Sequence, residues 1–238
     1  MRAWLSTAAM IAFLTSSLPA FAADLRVRNA PPPPPIYTYN WTGFYVGGNL
    51  GGAWASSTLT DNFSGASLSG NNSGFIGGGQ IGYNWLVAPQ FVLGVEWMFD
   101  GTSISKSSNA ITIFNGNVLQ GSASTDWVQT IAARFGYAAN NVLYYGKAGG
   151  GWVRNSATVT DLTTGASASA SNTNSGLLLG VGIEYVLSRD WTAKLEYDHL
   201  DLDNLTRSSP LFVADTVTLS RHINMFTVGA NYRFTNQY

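Results

Sequence analysis

The chain has no cysteine, only two histidines, and few charges: Asp, Glu, Lys and Arg make up 11% of its 238 residues. Without cysteine there is no disulfide framework, even for a secreted protein. A net charge of −1 argues against a dedicated nucleic-acid or polybasic membrane-surface binder. Beyond the N-terminal leader no apolar run is long enough for a spanning helix. The charged share is about half that of an ordinary soluble domain. A soluble secreted protein so poor in charge would risk association. A protein whose outer surface meets lipid has the opposite requirement, because each Lys or Arg at mid-bilayer costs about 2–4 kcal/mol.

What is present begins with the leader. Met1-Arg2 precedes a mostly apolar stretch, Trp4 to Leu18, and then the small-x-small site Ala20-Phe21-Ala22. This predicts a secretory signal over residues 1–22. The stretch is too short and too rich in Ser and Thr for a spanning helix, which needs about 20 apolar residues. Residues 23–40 are expected to be a periplasmic segment, and their five consecutive prolines, Pro31 to Pro35, read either as a stiff polyproline spacer or as an idle tail.

Residues 41–238 carry a different pattern. They are rich in glycine and aromatics, and eight segments alternate with period two: 43–55, 74–86, 91–99, 126–137, 142–153, 177–187, 191–197 and 225–234. Such alternation marks strands with two unlike faces. One face holds residues such as Phe44, Val46, Phe75, Leu93, Val95, Ile131, Leu179, Leu195 and Val228, and no charge. The other holds Tyr45, Asn49, Gln80, Asn84, Asn231 and all the charges of these segments. A water-soluble sandwich would also alternate, so the aromatics help to decide. Trp54, Trp85, Trp97, Trp127, Tyr137, Tyr144, Trp152 and Trp191 cluster at segment ends, where amphipathic rings form girdles at the two membrane interfaces. In a sandwich they would sit mid-strand.

The connections alternate strictly as well. Those at 87–90, 138–141 and 188–190 are short, while those at 56–73, 101–125, 154–176 and 198–224 are long and polar. Outer-membrane barrels show this asymmetry, with short periplasmic turns and long outside loops. A sheet with a lipid-facing side must close on itself, because unpaired backbone groups are costly in hydrocarbon. The expected fold is therefore all-β: an eight-stranded antiparallel up-and-down transmembrane β-barrel.

Three motifs carry a family resemblance. Asn40-Trp41-Thr42-Gly43-Phe44-Tyr45-Val46-Gly47-Gly48 resembles the opening strand of the alphaproteobacterial outer-membrane barrels known as outer-membrane immunogenic proteins, which are similar to opacity-type eight-stranded barrels. Gly78-Gly79-Gln80-Ile81-Gly82-Tyr83-Asn84-Trp85 is similar to that family's second strand. Val228-Gly229-Ala230-Asn231-Tyr232-Arg233-Phe234 is similar to its closing strand. The resemblance spans about residues 40–234. It implies a bacterial outer-membrane location, a role in envelope integrity and surface antigenicity, and assembly through the C-terminal strand. Such chains usually end on the aromatic of that strand. Here Thr235 to Tyr238 follow Phe234, and Tyr238 shares its parity, so either aromatic can serve as the assembly signal.

The polar face suggests chemistry. Gly77-x-Gly79-x-x-Gly82 matches a dinucleotide fingerprint only as text, since no helix follows it. Its glycines read as a means of close strand packing. The inward face carries four acids, Glu96, Glu184, Glu196 and Asp198, and four bases, Arg134, Lys147, Lys194 and Arg233. An eight-stranded barrel is only wide enough for side chains to fill it. The charges must therefore pair, since a lone buried charge is prohibitively costly. They form either a salt-bridge plug or a narrow gated ion path. His199 and His222, with Asp201, Asp203, Ser208, Ser209 and Ser220 nearby in sequence, are expected at the outside rim. There they are headgroup-level polar residues or, less simply, parts of a lipid-modifying site, which spacing alone cannot identify.

The reading favoured is a structural, surface-exposed barrel with four outside loops and no catalytic, cofactor or metal site. Its expected partners are outer-membrane lipid and lipopolysaccharide, the barrel assembly machinery, and host or phage surfaces, with no nucleic acid. The alternatives are a small porin passing ions or small solutes, and a lipid-modifying enzyme.

Overall fold

Peptide groups placed in hydrocarbon need partners from the protein itself, and a closed antiparallel ladder supplies them here. The computed structural model describes residues 39–62, 65, 67–107, 110–112, 118–208 and 216–234. The expected signal at 1–22, residues 23–38 of the proline-rich segment, and Tyr238 lie outside the described residues. In chain order the strands are β1 Gly43–Asp61, β2 Ser67–Ala88, β3 Phe91–Thr102, β4 Ser105–Ser107, β5 Ile111–Thr112, β6 Val118–Ala139, β7 Val142–Asp161, β8 Ser167–Val186, β9 Trp191–Ser208 and β10 Thr216–Phe234. Eight of them form a ring, β3-β2-β1-β10-β9-β8-β7-β6, which the β3–β6 pairing closes. First and last ring strands meet in register from Phe44↔Phe234 onward. The fragments β4 and β5 pair with β6 above the end of β3.

Alternation sorts the side chains. On β3, Phe91, Leu93, Val95, Trp97 and Phe99 are exposed to the surroundings, while Val92, Glu96, Met98 and Asp100 are buried in the lumen. Tight turns join the strands at one end. At the β6–β7 turn Asn140 adopts a positive φ of 53°, the conformation that two-residue hairpins demand and Asn tolerates. Two glycines make room inside. A Cβ on Gly82 would overlap the Tyr45 hydroxyl, and one on Gly182 would overlap the Tyr145 ring. Glycine at these places makes room for two tyrosines in a narrow lumen, and of the two only Gly82 belongs to the 77–82 run.

At the other end the structure departs from expectation. The long connections are mostly strand: β2 and β6 each run 22 residues, whereas about 9–11 suffice to cross the membrane. Ser, Thr, Asn and Ala on both faces hide the period, since neither face meets oil there, yet backbone pairing continues. It continues unevenly. β1–β2 pairing reaches Thr60↔Ser67 and β7–β8 pairing reaches Thr160↔Ser167. Pairing of β2 with β3 stops at Ile76↔Thr102, and pairing of β8 with β9 stops at Gly176↔Leu202. Beyond the membrane band the wall thus parts into two ribbons, one of β9, β10, β1 and β2, the other of β6, β7 and β8.

Val95→Arg places a charge at mid-band and costs about 2–4 kcal/mol. We expect it to abolish the heat-modifiable gel migration of membrane-fractionated protein, whereas Ser169→Asp, on the exposed outer part of β8, leaves migration unchanged.

Candidate functional site

Depth along each strand sets what the lumen contains. At the closed end an apolar layer forms from Trp41, Val92, Ala138, Leu143, Tyr145 and Val186. Trp41 precedes β1 and folds under the ring, edge-on to Tyr39 at 5.0 Å. Arg233 fastens this segment. Its Nη2 donates to the carbonyls of Asn40 at 2.7 Å and Thr42 at 3.0 Å, and its guanidinium lies over the Tyr39 ring at 4.6 Å.

The next level is charged. Arg134 donates from Nη2 to Glu184 at 2.8 Å and from Nη1 to the Tyr45 hydroxyl at 2.6 Å. That hydroxyl donates to Glu96 at 2.9 Å. The guanidinium also stacks on Tyr145, 3.9 Å from the ring centre, a favourable cation–π placement. The Lys147 Nζ lies 2.8 Å from Glu196, 2.9 Å from Asp198 and 3.5 Å from Glu96. Lys194 bridges Glu96 and Glu196 at 3.3 and 3.5 Å. Tyr145 donates to Glu196 at 2.7 Å. An amide chain runs round the wall: Asn231 donates to Glu184 at 2.9 Å, Gln80 to Asn231 at 2.8 Å, and Asn49 to both Gln80 and Asp100 at 2.9 Å.

Above the charges lies a second apolar layer, which includes Ala53, Ile76, Val128, Val153, Leu178, Leu200, Ile223 and Met225. Beyond it the lumen opens into a polar vestibule between the two ribbons.

Seven of the eight inward charges expected from parity meet in one cluster: Glu96, Arg134, Lys147, Glu184, Lys194, Glu196 and Asp198. Arg233 does not join them. It is buried on the same face, but its position near the end of β10 puts it at the mouth, where backbone carbonyls hold it. Asp100 is the addition, buried on β3 one residue past the alternating segment. Among the described residues four carboxylates thus contact three cations, and a fifth, Asp100, lies beside them and accepts from Asn49. His199 and His222 sit on the outside, with ring centres 5.6 Å apart, and His199 Nδ1 is 2.7 Å from Asn224 Oδ1. Asp203 accepts from Ser175 at 2.8 Å. The side chains of Ser208 and Ser209 lie outside what the structure describes. Among the described residues no group of His, Asp and Glu is arranged to hold a metal ion.

Residues 8–234 match the family described as outer membrane protein beta-barrel domain. The chain belongs to this outer-membrane β-barrel family. It is 36% identical to the 31 kDa outer-membrane immunogenic protein of Brucella melitensis, covering 96% of this chain and 97% of that one. It is 30% identical to the 22 kDa outer membrane protein of Rhizobium leguminosarum, over 68% of this chain and 64% of that one. Among solved structures, Neisserial surface protein A is similar at 14% identity and a TM-score of 0.44, covering 81% of this chain and 98% of that one. The exposed ring of Phe, Trp, Leu and Val is thus the surface that meets lipid, and the chain resides in the bacterial outer membrane.

In an acid-rich cluster a cation is the scarcer partner. Lys147→Met leaves Glu196 and Asp198 short of positive charge in a buried site and should cost about 3–5 kcal/mol. Asp198→Asn removes one of five carboxyls and should cost much less. Urea unfolding midpoints in detergent micelles check the order, and equal midpoints would contradict it.

Proposed function

We propose that the barrel is a sealed anchor. It holds two β-ribbons outside the cell and contributes to envelope integrity and surface interactions, not to solute passage. The observation that carries this reading is the layering of the lumen. Side chains at fixed positions close it with apolar layers above and below a cluster of ion pairs. Water and ions would have to cross both layers, and any ion would have to displace pairs such as Lys147–Glu196 at 2.8 Å. The same layering speaks against the small-porin alternative.

The lipid-facing band suits outer-membrane lipid and lipopolysaccharide. The closing strand β10 is the segment through which the barrel assembly machinery would take up the chain. The outer ribbons, built of Ser, Thr, Asn and Ala, offer host or phage surfaces a face with few charges. No enzymatic step is part of this reading: His199 is engaged by Asn224, and His222 stands 5.6 Å from it at the wall of the outer vestibule.

Planar-bilayer recording of the purified protein tests the proposal. We expect no steady conductance. Stepwise ohmic currents that change when Glu96 or Arg134 is neutralised would favour a pore instead.

A further inference from the structure

The geometry points to a binding site for a small organic monoanion in the outer vestibule, between the two ribbons and above the second apolar layer. The cavity there has a volume of about 380 Å³, within the range of pockets that take small molecules. Its floor is apolar, since Ile104, Leu202 and Ile223 line it and belong to the apolar layer below. Its walls are neutral and polar: Ser57 and Asn72 from one ribbon, Asn155 and Ser171 from the other. Among the described residues no Asp or Glu lines it.

One cation does. Arg221 stands on β10 opposite Ser57, three residues beyond the level of Trp54 and so above the outer aromatic girdle. Its Nε and Nη2 are shielded from solvent and have no hydrogen-bond partner among the described residues. Burial lowers its pKa from the ordinary guanidinium value, and no charged neighbour offsets that effect. Among the described residues no acid faces this half-buried guanidinium. Arg134, Lys147 and Lys194 each touch carboxylates, and Arg233 donates to two carbonyls. Guanidinium nitrogens recognise carboxylate, sulfate or phosphate oxygens through charge-assisted hydrogen bonds. Together with an apolar floor, this selects a molecule with one anionic group on a compact apolar body. The site lies outside the sealed part of the lumen, so it stands whether or not the lumen conducts.

Phenylacetate is a suitable probe, with phenylacetamide as its neutral counterpart. The full chain in lipid nanodiscs would be titrated with each by ligand-observed NMR, with empty nanodiscs as the blank. We expect saturable binding of phenylacetate and binding of the amide weaker by about tenfold or more, the loss of one charge-assisted contact. Arg221→Gln should bring phenylacetate down to the level of the amide, while Arg154→Gln, on the outer surface, leaves it unchanged. Failure of the native chain to bind phenylacetate saturably, equal binding of acid and amide, or full binding by a heat-modifiable Arg221→Gln variant would each overturn the assignment. Should Arg221→Gln not assemble, the contrast between acid and amide on the native chain decides.

Discussion

The structure depends on one constraint: an eight-stranded ring is too narrow for water to keep charges company inside it. Closure through the β3–β6 ladder satisfies the backbone against lipid but creates an interior that side chains must fill. Whatever is polar there has to find its partner across the lumen. The cluster around Arg134, Lys147 and Lys194 answers that demand with short contacts to Glu96, Glu184, Glu196 and Asp198. Tyr45 and Tyr145 fill the remaining width, each lying against a glycine on the neighbouring strand.

A buried ion cluster is by itself weak support for stability, because desolvation offsets attraction. Its effect here is one of position. Arg134 reaches Glu96 on β3 and Glu184 on β8, and Lys147 reaches β3 and β9. Lys194 on β9 reaches Glu96 on β3, four places away in the ring of eight, and the set of contacts fixes the cross-section. Apolar layers cover the cluster at both ends, one built on Trp41 and the other on Leu178, Leu200 and Met225. Outside the membrane band no such filling is required, and the wall parts into two ribbons around an open vestibule.

Much of this was legible in period-two alternation. Parity told lipid from lumen for Val95, Leu195 and Val228, and for Glu96, Lys194 and Asn231. It could not report depth. Arg233 shares parity with the cluster but lies at the mouth, and Asp100 was passed over because the apolar face of its segment ends at Phe99. The inner apolar layers were hidden for a related reason: Leu178, Leu200 and Met225 fall on the face that the charges had marked as polar. The outer strand extensions left no trace either, since segments such as Ser167 to Ser175 are polar on both faces and have no alternation to read. The setting of Arg221 needed the fold, because its neighbourhood in sequence does not show which residues face it across the vestibule.

The central claim is that one face of every strand meets lipid while the other meets a dry, filled interior. The natural absence of cysteine allows single cysteines to be placed freely, and a nitroxide scan along residues 91–99 in bilayers reads both faces at once. The account predicts strong oxygen accessibility at 91, 93, 95, 97 and 99, and labels at 92, 94, 96 and 98 that meet neither oxygen nor a water-soluble nickel complex. Nickel access at 94, 96 and 98, or accessibility without a period of two, would contradict it.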